Sequence, residues 1–154
     1  MFLAIDIGNT NVTMGVFEGE KIRYNWRLAT DIHKMPDEYA MEIMALLQFR
    51  KLAVYDIKEV ALCSTVAPLI PIFVKLLDDY FGIKPLVVTA GVKTGVRIRG
   101  DNPREVGADR VVNTVAGFKL YGGRRLWSTS ARPQPLISFR GTVILSAESL
   151  RPAR

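Results

Sequence analysis

Leu3-Ala4-Ile5-Asp6-Ile7-Gly8-Asn9-Thr10-Asn11-Val12-Thr13 is the stretch whose reading decides the fold. An apolar run leads to Asp6, breaks at Gly8-Asn9-Thr10, and resumes as Val12-Thr13-Met14-Gly15-Val16-Phe17. Two strand-like runs about a Gly-Asn break predict a tight hairpin. Gly8 lacks a Cβ, so a bulky anion can approach its backbone. Ile7 and Val12 flank the bend, and Asn9, Thr10, Asn11 and Thr13 surround it with amide and hydroxyl groups. Asp6 is an acceptor-only carboxylate at a strand end, suited to a hard cation such as Mg2+, held directly or through its waters. Read from the residues alone, the stretch is either a plain hairpin turn or a phosphate cradle. The two flanking apolar strands favour the cradle.

Outward from the hairpin, Lys21 to Leu28 alternates polar and apolar residues, the period of a third, half-buried strand. A loop follows, in which His33, the single histidine, is expected to be solvated. Pro36 stands where a helix favours its first residue, with Asp37 and Glu38 at the positive end of the dipole. Tyr39, Met41, Ile43, Met44, Leu46, Leu47 and Phe49 give that helix an apolar face as far as about Lys51.

Glu59 to Ser64 reads as a buried strand ending in two hydroxyls, Ser64 and Thr65. These lie either at the ligand-binding edge of an α/β sheet or at the N-cap of the next helix. That helix spans Leu69 to Tyr80, with Gly82 as its C-cap. Lys84 to Thr89 is a further strand, and Gly91 to Arg99 a loop with one extended piece at Val96-Arg97-Ile98.

A second informative stretch is Asp101-Asn102-Pro103-Arg104-Glu105-Val106-Gly107-Ala108-Asp109-Arg110. Asp101 or Asn102 caps, Pro103 opens a helix, and Val111, Val112, Val115 and Phe118 continue an apolar face to Tyr121-Gly122-Gly123. Glycine inside a helix costs on the order of 1 kcal/mol against alanine, so Gly107 predicts a close approach by a substrate or a facing backbone. Asp109 is a candidate general base on a substrate hydroxyl, and Arg110 or Arg104 a reader of carboxylate or phosphate. The other reading of Asp109-Arg110 is a solvated surface pair.

Composition narrows the class. The chain has 154 residues, 49% of them hydrophobic, enough for one proper core. No apolar run has the length of a membrane span, and no secretory signal pattern is present, so no membrane association is expected. Cys63 is the only cysteine, which excludes an internal disulfide, fits a reducing cytoplasm, and suggests packing as a small hydrophobe. The formal charge of +6 is concentrated in residues 124–154, which hold six arginines and one glutamate. Residues 1–123 hold 15 basic and 14 acidic side chains, so the body is near neutral and no nucleic-acid partner is expected.

The first motif resembles the phosphate motif of the acetate/sugar kinase, heat-shock-70 and actin superfamily. Together the two stretches resemble one family, type III pantothenate kinase. Asp6-Ile7-Gly8-Asn9-Thr10-Asn11 is similar to its phosphate motif, and Asp101 to Arg110 to its pantothenate motif; the likeness runs from Met1 to Gly123. The resemblance implies an α/β, ribonuclease-H-like (actin-like ATPase) lobe with a mixed sheet flanked by helices. It implies a cytoplasmic homodimer that phosphorylates pantothenate with ATP, Mg2+ and a monovalent cation (K+ or NH4+), the first step towards coenzyme A. By the same carry-over Asp109 is the proton acceptor, and Gly107, Ala108, Asp109 and Arg110 contact substrate. Asp6, Ile7, Gly8, Asn9, Thr10, Asn11, Val12 and Thr13 surround the ATP phosphates, and Asp6 helps to place Mg2+. A substrate-contacting tyrosine often precedes Asp-Asn-Pro in the family; here that position is Gly100.

The likeness stops after Gly123, where the family continues with a second phosphate motif of the form V-D-F-G-T-A-T-T-F-D. This chain instead has Arg124-Arg125-Leu126-Trp127-Ser128-Thr129-Ser130-Ala131-Arg132-Pro133-Gln134-Pro135-Leu136-Ile137. The genetic code offers an explanation. When the last base of each codon is read with the first two of the next, Trp127-Ser128 can encode Val, and the following pairs Asp, Phe, Gly, Thr, Ala, Thr, Thr, Phe and Asp in order. In the same frame Ser146 to Arg154 can hide Gly-Gly-Val-Ile-Ala-Pro-Gly, another family segment. Residues 1–123 are therefore expected to form the N-terminal kinase lobe, and residues 124–154 a non-native, out-of-frame and poorly ordered tail. The second phosphate motif and the adenosine site would then be missing, and the chain as written is expected to have little or no kinase activity. A non-catalytic binding or regulatory protein on the same lobe is the alternative, and it needs the tail to be a functional segment.

Overall fold

The computed structural model describes residues 1–88, 98–99, 112, 138–140 and 142–144. The chain divides into two compact units, Met1–Val88 and Thr89–Arg154.

In the first unit, β1 (Phe2–Ile7), β2 (Asn11–Glu18) and β3 (Lys21–Ala29) form an antiparallel meander. Helix α1 (Pro36–Phe49) and a 3-10 turn (Val54–Asp56) lead to β4 (Glu59–Ser64), and α2 (Leu69–Phe81) leads to β5 (Leu86–Val88). The sheet order is β3-β2-β1-β4-β5, with β4 parallel to both β1 and β5. A meander joined to parallel strands in this order is the ribonuclease-H-like lobe with its mixed sheet.

The period-2 alternation of β1 sends Leu3, Ile5 and Ile7 to one face and Phe2, Ala4 and Asp6 to the other. The first set shares one buried cluster with Val12, Met14, Val16 and Leu62 and with the apolar stripes of both helices. Those stripes are Tyr39, Ala40, Ile43 and Leu47 on α1, and Leu69, Phe73, Leu76 and Leu77 on α2. At the centre, the rings of Tyr39 and Phe73 lie 4.8 Å apart, a tilted aromatic pair.

The helix ends follow local chemistry. Pro36 opens α1, and the Glu38 carboxylate accepts the Met35 amide at 2.7 Å. Helix α2 stops at Gly82, whose φ of 64° is left-handed; its amide donates to the Asp78 carbonyl and the Ile83 amide to the Leu77 carbonyl, both at 3.1 Å. Ser64 and Thr65 do not cap α2, which begins after Pro68 without a side-chain cap. The expected strand at 84–89 is shorter, Leu86–Val88 in the described residues.

Of the second unit, β6 (Ile98–Arg99), β7 (Ser138–Arg140) and β8 (Thr142–Ile144) form a small sheet in the order β6-β8-β7. Strand β6 coincides with the extended piece expected near Ile98, and Val112 is helical and exposed. The remainder of the helix expected from Pro103 to Tyr121, and most of the tail, lie outside the described residues. Among the described residues no helix is long and apolar enough to cross a membrane.

Candidate active site

The hairpin bend falls at the C-terminal end of β1, beside the C-terminal end of the parallel strand β4. Ile7 pairs with Ser64 there. The Gly8 amide donates to the Asn11 carbonyl at 3.0 Å and closes the bend around Asn9 and Thr10, both exposed. A Cβ on Gly8 would lie 3.3 Å from the Asn11 carbonyl oxygen, so glycine is needed here for space. The Gly8 amide is thus committed to the fold, whereas the amides of Asn9 and Thr10 donate to no described residue. These two are the donors the bend can offer to an anion.

Thr30, just past β3, holds the bend from outside. Its hydroxyl donates to the Gly8 carbonyl at 2.7 Å, and its amide to the Thr10 carbonyl at 3.0 Å. The next residue, Asp31, is anchored to the buried Tyr39. The Tyr39 hydroxyl accepts the Asp31 amide at 2.8 Å and donates to the Asp31 carbonyl at 3.0 Å. Lys34 continues this loop, bonded to Glu42 and with its ammonium 5.1 Å from the centre of the Tyr39 ring. The hydrogen bond to Glu42 holds the Lys34 pKa above its ordinary value, against a smaller opposing effect of burial. His33 is exposed, as expected.

Sheet register brings the polar groups into one row. Asp6 pairs with Thr13 on β2 and with Cys63 on β4, and Thr13 pairs in turn with Arg27 on β3. All four side chains belong to the face away from the two helices, since paired residues share a face. Asp6 is exposed, and the buried Cys63 thiol donates to its Oδ1 at 3.1 Å. Cys63 therefore does more than fill space. On β4's end, the Thr65 amide and hydroxyl donate to the Ile7 carbonyl at 3.0 and 3.3 Å, and the Ser64 hydroxyl lies 3.4 Å from the same oxygen. These hydroxyls fasten the two strand ends together.

The structure thus brings Asp6, Gly8, Asn9, Thr10, Asn11 and Thr13 together at one end of the sheet. Ile7 and Val12 are the buried apolar pair that anchors the bend. Gly100, Gly107, Ala108, Asp109 and Arg110 lie outside the described residues. Sequence reasoning missed Thr30 and Cys63. Neither adjoins the motif in the chain, and only the fold shows their contacts with it.

No cluster of three metal-ligating side chains occurs among the described residues. A single exposed carboxylate is nevertheless the donor Mg2+ uses when phosphates and water supply its other ligands. Asp6 Oδ2 has no partner among the described residues, so the donor set fits that ion.

Solved structures with a related chain course include one assigned as an N-acetylglucosamine kinase from Porphyromonas gingivalis. It is 15% identical, with a TM-score of 0.45 over 65% of this chain and 41% of that one. The Ppx/GppA enzyme of Aquifex aeolicus is 16% identical, with a TM-score of 0.35 over 57% of this chain and 35% of that one. The present chain spans less than half the length of either. The sequence profile of type III pantothenate kinase matches residues 2–128, most of the chain. On that match, which includes both the hairpin motif and Asp101 to Arg110, the chain belongs to the type III pantothenate kinase family.

Proposed function

We propose that this chain carries the N-terminal lobe of an ATP-dependent pantothenate kinase, made in the cytoplasm and acting as a homodimer. The observation that carries the reading is the bend at residues 8–11, with two undonated amides beside the exposed Asp6 carboxylate. Asn9 and Thr10 amides bind phosphate oxygens, and Asn11 and Thr13 add side-chain donors. Mg2+, when bound near Asp6, neutralises phosphate charge and orients the transferred group. A monovalent cation, K+ or NH4+, belongs to the same reading.

In the transfer, the pantothenate hydroxyl oxygen bonds to the γ-phosphorus while the bond from that phosphorus to the β–γ bridging oxygen breaks. Asp109 takes the hydroxyl proton, and ADP leaves with the electron pair of the broken bond. Gly107, Ala108 and Arg110 hold the substrate, and Gly100 leaves one contact fewer than a tyrosine would. Family resemblance supports these roles.

The missing second phosphate motif supports a frame change after Gly123, and the family match ends close behind it, at residue 128. The chain as written is therefore expected to turn over little or not at all. The test is ADP release from ATP with pantothenate, Mg2+ and K+, on this chain and on a version with the frame restored by one base. Turnover only in the restored protein, lost in Asp109→Asn, is the expected result. Ordinary turnover by the chain as written overturns the frame reading. Phosphorylation of acetate or a sugar instead of pantothenate overturns the substrate.

A further inference from the structure

We propose that Arg27 is the cationic group of this site and binds the terminal phosphates of the nucleotide; the assignment rests on the phosphate reading of the bend. The argument begins with charge. The bend and its row offer neutral donors from Asn9, Thr10 and Thr13, and one anion, Asp6. A polyphosphate carries several negative charges, and a carboxylate beside it repels it unless cations intervene. Mg2+ offsets only part of that charge, so a binding surface of this composition needs a fixed cation.

Register places one there. Arg27 pairs with Thr13, which pairs with Asp6, so the guanidinium belongs to the same sheet face and row as the carboxylate. Two strand spacings separate Arg27 from Asp6, about 10 Å between backbones, with only the short Thr13 side chain on the strand between them. The other two arginines of the first unit are engaged. Arg23 pairs with Glu18 at 3.3 Å, and Arg50 lies over the rings of Tyr24 and Phe49 at 5.4 and 5.9 Å. Arg27 is exposed and has no ion pair or ring contact among the described residues. A planar guanidinium with a fixed fork of donors suits bidentate binding of phosphate oxygens.

The test is calorimetric titration of the 154-residue chain with inorganic tripolyphosphate and Mg2+, a probe that needs no adenosine site. Arg27→Gln is expected to weaken binding at least about ten-fold and to flatten its salt dependence, with Arg27→Lys in between. Its melting temperature is expected to stay at the wild-type value, because the side chain is exposed and supports no described contact. Binding that Asp6→Asn weakens but Arg27→Gln leaves unchanged overturns the Arg27 assignment alone. A wild-type chain that binds no tripolyphosphate overturns the phosphate site itself, and the assignment with it.

Discussion

Thr30 donates its hydroxyl proton to the Gly8 carbonyl at 2.7 Å, across 22 residues of chain. Because its amide also reaches the Thr10 carbonyl, one residue grips both sides of the bend. The shape of the bend is therefore set by the β3–α1 loop as well as by the hairpin. Since Asp31 is held by the buried Tyr39, that grip is continuous with the core.

Thr30→Val keeps the shape of the side chain and removes the hydroxyl. The Gly8 carbonyl loses its partner, and stability falls by about 1 kcal/mol, the usual net worth of such a bond. Thr30→Ser restores most of it. Urea melts of the three proteins measure the difference, and equal midpoints for Val and wild type would show that the hydroxyl contributes nothing.

Gly8→Ala tests the bend from inside. The new methyl meets the Asn11 carbonyl oxygen at 3.3 Å, and that oxygen already accepts the Gly8 amide. Relief requires lengthening this bond, so a loss of about 1 kcal/mol is expected in the same melts, together with weaker tripolyphosphate binding.

Phe73→Ala removes a ring with no exposed surface, packed against Tyr39. Truncations of this kind cost about 3–5 kcal/mol, a large share of the stability of a small domain. Loss of a cooperative thermal transition, or a much lower midpoint, is the expected reading by circular dichroism.

The alkaline limb of stability has a definite sign. Glu42 raises the Lys34 pKa above 10.5 in the folded chain, and Asp37, accepting the Tyr80 hydroxyl proton at 2.6 Å, raises Tyr80 above 10.0. Each group releases its proton more readily unfolded than folded. Their stabilising contributions are complete below the unfolded values and disappear as pH rises through the folded ones. Melting temperatures measured across the alkaline range should fall less steeply in Lys34→Met and in Tyr80→Phe than in wild type.

What the sequence revealed follows from local chemistry. The alternation from Leu3 to Ile7 marked a strand with two unlike faces, Pro36 the first residue of α1, and Gly82 the end of α2. The polar composition of residues 8–13 marked the bend. Contacts between distant segments were not legible. Cys63 meets Asp6 across 57 residues only because β1 and β4 pair in parallel with one register, and no periodicity encodes that register. Thr30 escaped notice for the same reason. Ser64 and Thr65 allowed two local readings, a ligand-binding edge or an N-cap, and neither foresaw that both hydroxyls turn to the Ile7 carbonyl, a group from another strand. The 3-10 turn at Val54–Asp56 is fixed by the Asp56 carboxylate accepting the Ala53 amide, a bond that leaves no apolar period to read.

Strand β1 lies at the centre of its sheet, yet all its partners and theirs occur within the first 88 residues. During synthesis the meander can zip as it leaves the ribosome, and β4 and β5 can add before any later segment is made. A shift of reading frame downstream of residue 123 therefore arrives after this sheet has been specified. Such a lesion is expected to leave behind a folded relic that keeps the bend at residues 8–11, rather than a chain that never folds.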